Sequence, residues 1–129
     1  MKPMIVWVLS LHRVADQIAE THLGEAGLDL SPTELVALAL LARQDAQRAS
    51  DVAAACGFAA TSFPPVLDGL ERGGWIVRRN NPADRRSVLI HLTEKGQEKR
   101  TVILAVAEVV EKGVRAQVDQ SISQLPVMA

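Results

Sequence analysis

"TSFPPVLDGLERGGWIVRRNNPADRRSVLIHL", residues 61–92, decides the fold. Val66, Leu67 and Leu70 cluster on one side of a helix, with Phe63 before them and Trp75 after, so this side faces a core. Gly73 and Gly74 end the helix. "WIVRR" (75–79) then reads as a strand, "NNPADRRS" (80–87) as a turn-rich loop and "VLIHL" (88–92) as a return strand, which makes a hairpin. The paired prolines set the helix start. A residue that precedes proline is pushed toward extended backbone, and both Phe63 and Pro64 do so. The spacing therefore predicts Pro64 at the cap position and Pro65 as the first helical residue, with Thr61 and Ser62 ahead of the helix.

Upstream, Trp7, Leu11, Val14 and Ile18 recur every three or four residues and predict a helix over 4–23. "SPTELVALALLAR" opens a second helix with Ser31 as N-cap, Pro32 at the first position and Glu34 reaching back as a capping box. It is apolar on most of its circumference and so central. "SDVAAACG" predicts a short third helix capped by Ser50 and ended by Gly57. Downstream, Thr93 caps a long helix from Glu94, along which Val102, Val106, Val110, Val114 and Val118 repeat, with Gly113 as its expected break.

The order helix, helix, short helix, helix, strand, loop, strand, long helix is mainly α with a small β-hairpin wing. It describes a winged helix-turn-helix flanked by N- and C-terminal dimerisation helices. We read residues 1–129 as a single domain, with the winged core at about 31–93 and dimerisation helices at about 4–23 and 94–125. The apolar stripes of the outer helices need cover that the same helices of a second copy would supply, which predicts an isologous homodimer.

The 129 residues suit one domain, and 48% apolar content is enough for a core. One cysteine, Cys56, excludes an internal disulfide and fits a reducing compartment. The N-terminal apolar run is short and meets His12 and Arg13 without a cleavage site, and no run approaches the roughly 18 apolar residues of a membrane span. These features predict a soluble cytoplasmic protein with no membrane partner. The net charge is −1, but residues 71–100 hold eight Lys/Arg against four Asp/Glu, whereas residues 1–70 hold four against eight. Five of the six arginines in residues 71–100 fall at or beside the predicted hairpin.

"GLDLSPTELVALALLA", "ASDVAAACGFAATSFPPVLDGLERGGWIVRR" and "NNPADRRSVLIHLTEKGQ" together resemble the MarR family of bacterial transcription regulators over about residues 5–110. The last segment is the most specific: a wing with Asp-Arg-Arg, a return strand, then Leu-Thr-Glu-Lys-Gly opening the long helix. The resemblance implies a homodimeric transcription regulator, a repressor, on a roughly palindromic double-stranded DNA site. The fourth helix of each copy would enter a major groove and each wing a flanking minor groove. It also implies a small aromatic or phenolic ligand between the dimerisation helices and the DNA-binding lobe.

Arginine suits a wing because it is always charged, weakly hydrated and long, and the minor groove concentrates the phosphate potential. By resemblance Arg86 inserts into that groove, with Asp84 holding its pose and Arg85 turned toward phosphate. Arg78 and Arg79 alternate along a strand, so only one faces DNA, and the other covers the core with its stem. On the fourth helix Pro65, Asp68, Gly69 and Arg72 form the outer face. It lacks the Arg, Asn or Gln that read purines bidentately. Asp68 can accept from cytosine but repels phosphate. Thr61 and Ser62 can donate to a phosphate at the helix entrance. The DNA-binding candidates are thus Arg86, Arg85, Arg72, Thr61, Ser62 and Arg79.

Trp7, Leu11 and His12 can line a ligand pocket with Leu38 and Leu41, although plain helix packing also accounts for them. Cys56 reads as a small buried residue. His12, His22 and His91 lack metal-ligand spacing. With no nucleophile–base constellation and no phosphate loop, we expect no enzyme, no metal and no cofactor. A second reading is a winged-helix protein-interaction module with weak or no sequence-specific DNA binding. Asp68, the prolines and the net charge favour it; the wing and the basic stretch oppose it.

Overall fold

The computed structural model describes residues 3–124. The chain order is α1 (Met4–Glu25), α2 (Pro32–Arg43), β1 (Gln47–Arg48), α3 (Ala49–Ala55), α4 (Pro64–Arg72), β2 (Ile76–Asn81), β3 (Asp84–Leu92), α5 (Glu94–Glu98) and α6 (Arg100–Gln124). The described residues fall into two compact units, one from 30–105 and one from 3–29 with 106–124. Residue 125, the expected end of the last helix, lies outside the described residues.

The unit of residues 30–105 is built around α2. Its start follows the local code: Ser31 Oγ accepts from the Glu34 amide at 3.2 Å, and Glu34 Oε1 accepts from the Ser31 amide at 2.9 Å. Leu35, Ala37, Leu38, Ala39, Leu41 and Ala42 are all buried. Phe63, Leu67, Leu70, Ile76, Ile90 and Ile103 complete that core.

The sheet has three antiparallel strands in the order β1-β3-β2, one more than the expected hairpin. The added strand is two residues long, too short to show alternation. Gln47 and Arg48 pair with Ile90 and Leu89. That pairing also moves the start of α3. Arg48 is held extended and takes the cap position, so Ser50 lies inside the first turn and makes no cap bond. Asp51 instead accepts from Arg48 Nε at 3.0 Å. Gly57, at φ +79°, ends this helix as expected.

The C-terminal helix breaks at Lys99, not at Gly113. Thr93 caps α5, accepting from the Gly96 amide at 3.2 Å. Its hydroxyl also lies 2.5 Å from the Gly74 carbonyl oxygen, to which it donates. Gly113 sits within continuous α6, where an added Cβ would come 3.2 Å from Ile18 Cγ2 of α1. The two helices are therefore close there, and a side chain at 113 would crowd that approach.

In the second unit Ala19, Leu23, Leu28 and Val106 are buried. Met4, Ile5, Val8 and Leu9 on α1 and Val109 and Ile122 on α6 are exposed apolar side chains. No helix among the described residues is long and apolar enough to cross a membrane.

Candidate nucleic-acid interface

The recognition-type helix α4 starts one residue earlier than expected. Phe63 adopts helical angles (φ −88°, ψ −24°) although it precedes a proline, and Pro64 is the first helical residue. Burial explains the exception. The Phe63 side chain is enclosed, with its ring centroid 5.4 Å from that of Phe58. Its carbonyl accepts from the amides of Val66 and Leu67 at 2.9 and 3.3 Å. Prolines at the first two positions remove only amides that a helix start leaves unpaired. Thr61 and Ser62 lie exposed in the preceding turn and do not cap the helix.

The outer face of α4 also differs from expectation. Pro65, Asp68 and Arg72 are exposed, but Gly69 faces the start of α2, where an added Cβ would fall 2.8 Å from Glu34 Oε2. Val66 is half-buried instead of enclosed with Leu67 and Leu70.

The wing is more strand than loop. β2 and β3 extend to Asn81 and Asp84, leaving Pro82 and Ala83 at the tip. Asn80 pairs with Val88 and Asn81 with Asp84, so residues 85–87 form an irregularity on β3. Bulges of this kind re-aim side chains. Two side chains hold it: Asn81 Nδ2 donates to Ser87 Oγ at 2.9 Å, and Asp84 Oδ1 accepts from the Arg86 amide at 3.0 Å. Asp84 thus grips the backbone of Arg86. The ion pair to its guanidinium is loose, at 4.0 Å, and the Arg86 side chain is 96% exposed.

Arg78 and Arg79 do point apart. Arg79 is exposed. Arg78, 28% exposed, forms an ion pair with Asp68 and reaches Glu71 at 3.8 Å. Sequence reasoning missed this pairing because strand and helix meet only in the folded chain. It changes the electrostatics of α4, since the carboxylate in mid-face has its countercharge. Arg72, Arg79 and Arg85 are exposed and in no ion pair among the described residues. Between α4 and the wing lies a cleft of about 300 Å³ lined by Ser50, Phe63, Leu67, Arg78, Arg86 and Val88, among others.

Of the remaining candidates, Leu38 and Leu41 lie on α2 and Trp7, Leu11 and His12 on α1. Leu38 and Leu41 are core residues at 0% and 1% exposure and offer no open surface. Trp7 and Leu11 are half-buried, and exposed His12 lies 3.4 Å from Asp16. Cys56 is half-buried at the C-cap of α3, not enclosed, and burial pushes its thiol pKa up. No cluster of three His, Cys, Asp or Glu suited to a metal occurs among the described residues.

A family model described as "MarR family" matches residues 30–88. The chain is 38% identical over 68 residues to the uncharacterized HTH-type transcriptional regulator YkoM of Bacillus subtilis, covering 53% of this chain and 44% of that one. It is 43% identical over 49 residues to the transcriptional repressor MprA of Escherichia coli K12, covering 38% of this chain and 28% of that one. The chain thus spans less than two thirds of the length of these curated relatives. A solved structure of reduced AbfR bound to DNA superposes with a TM-score of 0.67 at 23% identity, covering 91% of this chain and 87% of that one. The capped α2, the α3–α4 pair, β2 and the start of β3 lie within the matched segment, and over that segment the chain is similar to the MarR family.

Proposed function

We propose that the chain is a homodimeric DNA-binding transcription regulator that acts as a repressor. The observation that carries this reading is the wing: Arg85 and Arg86 sit on a held bulge beside α4 with their cations turned to solvent. A structural relative in this fold is described as bound to DNA, and a curated one as a repressor. The exposed apolar side chains of α1 and α6 supply the surface for a second copy. A dimer reads two half-sites separated by about one helical turn. Pairing of Asp68 with Arg78 weakens the protein-interaction alternative, which leaned on an uncompensated carboxylate. A small phenolic anion suits the cleft between α4 and the wing, where Phe63, Leu67 and Val88 are apolar and Arg78 and Arg86 are cationic. A protein of this type acts in the cytoplasm, where its DNA is.

Titration of the chain against fluorescent DNA from upstream of its own gene tests the proposal. Saturable binding that weakens steeply with salt is expected. Absence of binding at low salt overturns it. Sedimentation equilibrium tests the dimer, and salicylate added to the complex tests the effector.

A further inference from the structure

The outward side chains of α4 are few. Pro65 has no donor or acceptor in its side chain, Gly69 is turned toward Glu34, and Arg72 stands at the end of the helix. Asp68 is the polar group at the centre. Its side chain is about half exposed, yet Arg78 of β2 holds it in place. The Arg78 guanidinium also lies near Glu71, three residues on. Asp68 is thus oriented and accessible, with its charge partly offset by Arg78.

An ionised carboxylate accepts hydrogen bonds and donates none. In the major groove the donors are the amino groups of cytosine N4 and adenine N6. Adenine sets the N7 acceptor beside its amino group, which repels a carboxylate, and cytosine carries no second acceptor on that edge. A bare carboxylate would be driven off by the surrounding phosphates, but one whose charge is partly offset from behind approaches at lower cost. Arg78 is on the strand paired with β3, so the same hairpin that presents Arg85 and Arg86 also carries the countercharge.

We infer that Asp68, positioned by Arg78, determines specificity by accepting from cytosine N4 in each half-site. This rests on the DNA-binding reading above. The test is selection of duplexes from a randomised pool by the full chain and its variants, followed by titration of the selected sites. The wild type is expected to enrich one cytosine per half-site, and T·A in place of C·G there to weaken binding about tenfold. Asp68→Ala should lose the preference at that position alone. Asp68→Asn should move it toward adenine, which presents a donor and an acceptor. Arg78→Met keeps the stem and should weaken binding to every duplex about fivefold by exposing the carboxylate, with Asp68→Ala in the same chain restoring it. A purely structural Arg78 would show no such rescue. A motif without that cytosine, or an unchanged motif in Asp68→Ala, overturns the inference while leaving DNA binding intact. Failure of the wild type to enrich any duplex overturns the DNA-binding reading and the inference with it.

Discussion

Gly69 of α4 and Glu34 of α2 meet so closely that a Cβ on residue 69 would lie 2.8 Å from Glu34 Oε2. The same carboxylate closes the capping box of α2 through its other oxygen. In Gly69→Ala the methyl displaces Glu34. The loss of about 1 kcal/mol of capping offsets the similar gain of replacing a helical glycine. Gly69→Ala alone should therefore shift stability by less than about 0.5 kcal/mol. In a Glu34→Ala background, where nothing is displaced, it should stabilise by about 1 kcal/mol. Urea unfolding of the four chains measures the coupling, and equal effects in both backgrounds would refute the contact.

Asp45 ties the end of α2 to the sheet and to α5. Its Oδ1 accepts from the Leu92 amide at 2.9 Å and its Oδ2 from Gln97 Nε2 at 3.3 Å. Asp45→Ala leaves a partly buried amide without a partner and should cost about 1–3 kcal/mol. Asp45→Asn retains an acceptor and should cost less than about 1 kcal/mol. Denaturant midpoints of the two variants decide this, and indistinguishable losses would show that the Leu92 bond contributes little.

Cys56 gives a pH-dependent signature. Burial raises its thiol pKa in the folded chain, so the unfolded chain ionises first. This contribution to stability is fully present below the ordinary thiol range and declines as pH rises through it, from about pH 8.5 upward. Native protein at pH 8 should therefore react more slowly with iodoacetamide than protein unfolded in urea, and its rate profile should lie at higher pH. A faster native reaction would contradict the burial.

What was legible in the sequence was what local chemistry writes. Ser31, Pro32 and Glu34 announce α2 because each acts within one turn. Val66, Leu67 and Leu70 place α4 because helical spacing puts them together, though Val66 is less enclosed than that spacing implies. Tertiary contacts override the rest. Phe63 enters helical geometry before Pro64 because its ring is buried. β1 exists because β3 offers it an edge. The break at Lys99 carries no glycine or proline to mark it. Within the candidate interface the cations were visible as residues, whereas the bulge that aims Arg86 and the partner that occupies Arg78 depend on strand register and on packing across ten residues of chain.

The wing separates two kinds of arginine. Arg86 lies on the bulge with its backbone held by Asp84 and its guanidinium almost free, an arrangement suited to entering a minor groove on contact. Arg85 is exposed beside it and suited to phosphate. Arg86→Ala should lower affinity for the upstream DNA about tenfold or more. Arg85→Ala should weaken binding less, by a similar factor on all sequences, and reduce the slope of log affinity against log salt by about 1. Asp84→Asn keeps the side-chain oxygen that accepts from the Arg86 amide, so it should bind nearly as the wild type does. Asp84→Ala frees the bulge and should approach the loss seen for Arg86→Ala. Fluorescence anisotropy across a series of potassium chloride concentrations distinguishes these outcomes. An Asp84→Asn loss as large as that of Asp84→Ala would mean that the carboxylate charge, and not its grip on the Arg86 backbone, orders the wing.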